Sequence, residues 1–294
     1  MDFKQELENY RKIVEQELEK YIRKEECPER ILNESMEYSL MAGGKRLRPI
    51  LVIATYKLFK ENYNLIMPFA VAIEMIHNFS LIHDDLPAID NDDIRHGKKT
   101  NHKQFNEATA ILAGDGLLNQ AYIVISEELM NKNEIEEELK IKAFNEFTNA
   151  VDRMIAGEYV DTEYEGKEIA NEYLEYMHKN KTGALLQCCV RMGAILAKAN
   201  DEDIENLTKY AEKIGLAFQI KDDILSEIGD EKILGKPVGN DKKKKKCTYV
   251  TKFGLEESKK KLEELTNEAI EIINNYNNSE FLKELAIYMK KREK

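Results

Sequence analysis

Apolar positions recur at three- to four-residue intervals along most of this chain, and no alternating apolar and polar run lasts long enough to argue for a strand. The pattern predicts helices throughout. Asp2 can cap a first amphipathic helix running to about Glu25, and Pro28 suits the first turn of a second that ends near Met41. Pro49 opens another. The apolar run from Phe69 keeps helical spacing through His77 to Asp84, which puts His77, Ser80 and Asp84 on one face, and Pro87 stops that helix. Leu86 to Gln104 reads as a polar loop, of the kind that carries function. Helical spacing resumes from Phe105 to about Leu129, where Gly114 and Gly116 suit close packing, and again from Glu134 to Tyr164. A short helix follows Gly166. Lys179 to Gly183 breaks it from the next apolar segment, and Asp201 to Glu227 forms a further helix. Ile228 to Lys246 is a connection ending in a lysine run, and Gly254 to Lys294 alternates Glu and Lys on helical faces as peripheral packing does.

Composition fits an all-α protein: Gly 14 and Pro 5 are scarce and Trp is absent among 294 residues, enough chain for one large core over residues 1–294. Lys+Arg 44 against Asp+Glu 55 gives a net charge of -11, which excludes a general nucleic-acid binder and makes any anion site a local one. Cys27, Cys188, Cys189 and Cys247 lack metal-ligand spacing and read as the reduced thiols of a cytoplasmic protein. The N-terminal residues lack the apolar core of a signal peptide, and Glu74, or Gln187 with Arg191, interrupts the most apolar stretches, so no membrane insertion is expected.

Chemistry enters at Asp84, Asp85, Asp90, Asp92 and Asp93, which crowd the end of an apolar helix together with Arg95. Carboxylates this close repel one another, so either their pKa values rise or hard cations sit among them, and oxygen-only ligands point to Mg²⁺. A second cluster, Gln219, Asp222, Asp223 and Ser226, lies on one side of the helix from Gly215 to Glu227. One Asp-Asp pair is an ordinary solvated face; two, each in apolar helix, need partners. Gly43 and Gly44 free the backbone before Lys45, Arg46 and Arg48. Alone this is a charged turn, but with two acidic metal clusters it becomes a diphosphate anchor. Lys181 and Thr182 offer a cation and a hydroxyl to phosphate, while Glu158 and Asp161 are acidic positions at the surface or beside the site. With Phe79, Leu81, Leu216 and Phe218 as apolar lining, the set describes a diphosphate with a hydrocarbon part, ionised at an allylic C–O bond.

Gly43 to Pro49, His77 to Thr100, Lys181 to Gly183, Gly215 to Leu225 and Lys236 to Asp241 stand in an order that resembles the short-chain trans-prenyl diphosphate synthases, bacterial farnesyl diphosphate synthases in particular, from about Met41 to Leu255. The resemblance implies an isoprenoid synthase bundle of about ten helices around a central cavity, working as a homodimer on isopentenyl diphosphate and an allylic diphosphate. It implies that Asp84, Asp85 and Asp90 hold two Mg²⁺ and Asp222 a third, Mn²⁺ being a substitute, and that Arg95, Lys181 and Lys236 bind the allylic diphosphate. Gly44, Lys45, Arg48, His77, His96 and Lys246 would bind isopentenyl diphosphate, and the Lys181 carbonyl, Thr182 and Gln219 would face the carbocation. Phe79, five residues before Asp84, and its neighbour Ser80 would set chain length, giving farnesyl diphosphate.

Three positions depart from the family: His96 stands for arginine, Glu158 for glutamine and Ser226 for aspartate. These departures motivate alternatives: a C10, C20 or irregular product, or a weakly active regulatory subunit of a heteromer. The His83-Asp84 pair also matches metal-dependent phosphohydrolases, but those need an upstream histidine and none of the 5 histidines precedes His77.

Overall fold

The computed structural model describes residues 2–22, 26–167, 169–228 and 248–292, which fall into two compact units. The first comprises Met1–Ile53 and Asn62–Lys140, the second Ala54–Glu61 and Ile141–Lys294.

In the first unit, α1 (Phe3–Glu19) stops short of the expected Glu25 because its buried stripe, Tyr10, Val14 and Leu18, ends there. Pro28 lies in the turn before α2 (Arg30–Leu40) rather than in its first turn. Gly43 and Gly44, at φ 98° and 117°, then reverse the chain into α3 (Leu47–Tyr56), a conformation open to glycine and costly to other residues. The spine of the unit is α4 (Met67–Asp84), apolar on nearly every side and buried along most of its length.

The polar loop after α4 is not structureless. Ile94–Arg95 (β1) pairs antiparallel with Lys98–Lys99 (β2), turning on His96 at φ 51° and Gly97 at φ 75°. Positive φ at both central residues makes a two-residue turn that matches strand twist, and a ladder this short has no readable periodicity. A single turn, α5 (Asn101–Gln104), leads to α6 (Glu107–Met130), whose N-cap Asn106 accepts from the Thr109 amide at 2.8 Å. α4 packs along α6. The Lys140 ammonium, 1% exposed, closes the C-terminal end of α6 by donating to the Glu128 and Asn131 carbonyls at 3.1 and 2.6 Å.

Both α4, counted from Tyr63, and α6 are long and apolar enough to cross a membrane, which the sequence reading did not expect. In α4 the charge inside the apolar run is matched: Glu74, 3% exposed, accepts from Arg46 Nη1 at 2.8 Å, as a core helix requires.

The second unit contains α7 (Glu137–Glu163), whose first residues belong to the first, then α8 (Asn171–Met177), α9 (Gly183–Leu196), α10 (Asp201–Ile228), α11 (Tyr249–Phe253), α12 (Leu255–Ile273) and α13 (Glu280–Lys291). Instead of a break, a π-helical turn, His178–Thr182, runs α8 into α9. Such turns insert one residue into a helix and are frequent at functional sites. α10 packs on α9 and α12, with Ala217, Ile220 and Ile224 meeting Val250, Leu262 and Leu265.

Candidate active site

At the C-terminal end of α4 the backbone gathers the first aspartates. Asp84 is the last helical residue and Asp85 caps it; the loop then returns so that the Asp90 amide donates to the Asp84 carbonyl at 2.8 Å. Asp85 is 3% exposed. Burial pushes its carboxyl pKa up, and Arg95 pulls it back, donating from Nε and Nη2 to both oxygens at 2.6–2.9 Å. Arg95 reaches that carboxylate from the hairpin formed by β1 and β2.

The same region concentrates positive charge. A Cβ at Gly44 would lie 3.7 Å from His96 Nε2, so the glycine turn abuts the hairpin. His77 is partly buried; desolvation first, then Arg48, Arg95 and Arg46, hold its pKa well below the ordinary imidazole value. His96 moves the same way, desolvation leading and Arg95, Arg46 and Lys45 adding to it. A protein of net charge -11 thus concentrates cations locally around His77 and His96. Arg46 does not serve that cluster directly, because its side chain is 1% exposed and committed to Glu74 and to the Leu40 carbonyl at 2.6 Å.

One turn down α4, Phe79 is 7% exposed and meets the His83 ring edge-on, with centroids 5.0 Å apart. His83 fits only because residue 114 of α6 is glycine: a Cβ there would come 2.2 Å from His83 Nε2, which lies 3.0 Å from the Ile111 carbonyl. His83 is therefore turned toward α6. Ser80 Oγ donates to the His77 carbonyl at 2.9 Å within its own helix.

In the second unit, the π-helical turn presents Lys181 and Thr182. Lys181 Nζ donates to Glu158 Oε1 at 3.0 Å and to Asp161 Oδ2 at 2.5 Å. A relay runs from Thr182 Oγ1 to Gln219 Oε1 at 2.9 Å and from Gln219 Nε2 to Asp223 Oδ1 at 2.9 Å, while Asp223 Oδ2 accepts the Tyr249 amide at 2.6 Å. Gln219 is thereby fixed in orientation, its oxygen toward Thr182. Asp222 accepts from Arg292 Nη2 at 2.6 Å, and the Arg292 guanidinium lies 4.0 Å above the Phe218 ring. Arg292 thus lies over one face of the partly buried Phe218 ring, and the partly buried Leu216 packs against the α10–α12 core. Asp161 was readable only as an acidic position three residues beyond Glu158, and Arg292 only as one of many charges in a terminal helix. Lys236 and Lys246 lie outside the described residues.

Asp84, Asp85, Asp90 and Asp222 offer only carboxylate oxygen, which suits a hard divalent cation. Among the described residues no three potential ligands already converge as a metal site. Asp85 is held by Arg95 and Asp222 by Arg292. Guanidinium and metal compete for the same oxygens, so each of these carboxylates fits a hard divalent cation by exchange of its pair.

A family model described as polyprenyl synthetase matches residues 29–288. Farnesyl diphosphate synthase of Bacillus subtilis (strain 168) is 44% identical over 269 residues, 91% of this chain and 90% of that protein. Geranylgeranyl diphosphate synthase of Cyanophora paradoxa is 45% identical over 248 residues, 83% of this chain and 82% of that protein, so identity alone does not separate C15 from C20 producers. The crystal structure of an FPP/GFPP synthase from Zymomonas mobilis superposes with a TM-score of 0.87 at 32% identity, covering 98% of this chain and 99% of that one. With a family match spanning most of its length and relatives at 44% and 45% identity, the chain belongs to the polyprenyl synthetase family.

Proposed function

We propose that this protein is a trans-prenyltransferase of isoprenoid biosynthesis, condensing isopentenyl diphosphate with dimethylallyl or geranyl diphosphate in 1′-4 head-to-tail fashion to give mainly farnesyl diphosphate. The observation that carries the reading is the meeting of two opposite charge sets in one region: Asp84, Asp85 and Asp90 at the end of α4, and Lys45, Arg48 and Arg95 around His77 and His96. A cation-dependent diphosphate site needs both.

Gly44, Lys45, Arg48, His77, His96 and Lys246 bind isopentenyl diphosphate in this scheme; Arg95, Lys181 and Lys236 draw the allylic diphosphate. Asp84, Asp85, Asp90 and Asp222 would hold Mg²⁺, three ions per site with Mn²⁺ as a substitute, and bound metal supplies charge that makes diphosphate a better leaving group. Heterolysis of the allylic C–O bond leaves the electron pair on diphosphate and a cation on carbon. Thr182, Gln219 and the Lys181 carbonyl would supply oxygen dipoles to that cation. The isopentenyl double bond donates its electron pair to form the new C–C bond, and the resulting tertiary cation loses a proton to the departed diphosphate. Phe79, rigid between α4 and α6, with Ser80 beside it, limits the growing chain.

We further propose one synthase domain over residues 1–294, acting as a cytoplasmic homodimer. α6 supports the dimer: Ile111 and Leu112 are 45% and 55% exposed on a helix apolar enough for a core, a face a second copy would cover. The purified protein, assayed alone with Mg²⁺ and both diphosphates, should release diphosphate only when isopentenyl diphosphate is present and yield a C15 product. Release without isopentenyl diphosphate would refute the transferase. A C10, C20 or branched product would revise the product, and activity only with a partner chain would make this a regulatory subunit.

A further inference from the structure

The backbone of α7 is pressed against the turn that presents Lys181. At Gly157 a Cβ would lie 2.2 Å from the Lys181 nitrogen and 2.7 Å from its Cα, so only glycine allows this approach. One turn earlier, Arg153 Nε donates to Asn180 Oδ1 at 2.9 Å, and Asn180 Nδ2 donates to the Tyr176 carbonyl at 2.9 Å. The turn is therefore fixed immediately before Lys181. The side chain of Lys181 is then held by two carboxylates from α7: Glu158, with Oε2 at 2.8 Å, and Asp161, with Oδ2 at 2.5 Å. All three side chains are partly withdrawn from water, at 25%, 21% and 13% exposure for Lys181, Glu158 and Asp161. The cation that a diphosphate would meet is thus already engaged by two carboxylates.

We propose that Glu158 and Asp161 are positioning residues that clamp Lys181, that an incoming diphosphate has to displace this clamp, and that Glu158 thereby sets the affinity of the site for the allylic substrate. The proposal rests on the prenyltransferase reading only for the identity of the natural ligand. Two effects act in the same direction. The apparent affinity for an anion is the intrinsic one reduced by the fraction of molecules in which Lys181 is released. A second carboxylate also repels the anion as it arrives. Neutralising Glu158 without changing its shape weakens both. Partial solvent exposure limits the gain to about threefold to tenfold.

The test titrates wild type, Glu158→Gln, Lys181→Ala and the double variant with inorganic diphosphate in Mg²⁺ by calorimetry, and measures KM for geranyl and isopentenyl diphosphate. Glu158→Gln should bind diphosphate about threefold to tenfold more tightly and lower the geranyl diphosphate KM by a similar factor, with a smaller change in kcat and an unmoved isopentenyl diphosphate KM. In the Lys181→Ala background the gain should vanish. Equal or weaker diphosphate binding by Glu158→Gln, or a gain that survives Lys181→Ala, overturns the proposal. If no variant turns over but the binding gain and its dependence on Lys181 appear, the prenyltransferase reading fails and the clamp stands.

Discussion

Two adjacent aspartate pairs in this chain solve the same problem differently. In Asp84-Asp85 and in Asp222-Asp223 the second residue is the buried one, at 3% exposure for Asp85 and 5% for Asp223. Asp85 is satisfied by a single charged partner, Arg95, carried on a two-residue hairpin. Asp223 accepts from the Gln219 amide and from the backbone N–H of Tyr249 at the start of α11. An ionic partner on a short hairpin can exchange for another cation. A carboxylate that receives the first amide of a helix cannot leave without unfastening that helix. The first arrangement leaves Asp85 available to chemistry, the second commits Asp223 to architecture, and their sequences look alike.

The hardest test of this contrast is substitution within each pair. Asp84→Asn and Asp222→Asn should lower turnover by about three orders of magnitude or more while the far-ultraviolet circular dichroism stays unchanged, since the lost charge acts in the transition state. Asp223→Ala should instead lower the unfolding free energy by roughly 2 kcal/mol, because it removes the acceptor of the Tyr249 amide and of Gln219 Nε2. Steady-state rates beside urea titrations separate the two. Near-normal turnover in both asparagine variants would remove these carboxylates from the site, and an unchanged denaturation midpoint for Asp223→Ala would erase the distinction.

Removing the exchangeable partner is the next largest perturbation. Arg95→Gln leaves Asp85 buried without its counter-charge, and should cost about 1 to 3 kcal/mol at neutral pH, below the range for fully buried pairs because Arg95 is partly exposed. The sign with pH follows from the direction of the Asp85 shift. Burial raises its folded pKa above 3.8, so the folded state binds more protons and the cost of the charged form is relieved as pH falls through the folded pKa. Without Arg95 that pKa rises further, so the gap in stability between variant and wild type should narrow on acidification. A gap constant with pH would mean that Asp85 does not depend on Arg95.

How much of this was legible in the sequence follows from what each signal encodes. Helical spacing and Pro87 marked the end of α4 at the aspartates, since periodicity and proline chemistry are local. The hairpin was invisible because two residues per strand carry no alternation. The cations after Gly44 could be counted but not apportioned: Arg46 turns inward to Glu74, and the partner lies 28 positions away. Arg292 on Asp222 is more remote still, 70 positions away at the end of a helix whose charges looked interchangeable. Nor did spacing distinguish Asp223 from Asp222, because one faces α11 only through a long-range fold.

Phe79 offers a smaller but cleaner effect inside the first region. Its ring is held by His83, which in turn is seated over Gly114. Phe79→Ala should open the space beyond and move the larger share of product from C15 to longer chains, read by chromatography of the dephosphorylated prenols. An unchanged distribution would assign the limit to other residues.

The smallest effect concerns His96, which turns the same hairpin that carries the exchangeable Arg95. Arginine would be charged throughout, whereas this imidazole is held below its ordinary pKa by desolvation and then by Arg95, Arg46 and Lys45. An anionic ligand beside it favours the protonated ring, so binding must raise the pKa and protonation must strengthen binding. The KM for isopentenyl diphosphate should accordingly rise with pH between the pKa of the free protein and that of the complex, a climb that starts below about pH 6.5. His96→Arg should flatten that climb and bind about two- to threefold more tightly at pH 8, an exposed charge contact being worth a fraction of 1 kcal/mol. The backbone permits the test, because Arg46 already adopts φ 52°, close to the 51° of His96. The last ionisation of the substrate contributes equally in both proteins and cancels in the ratio of their profiles. Parallel profiles with equal KM would show that His96 turns the hairpin and takes no part in binding.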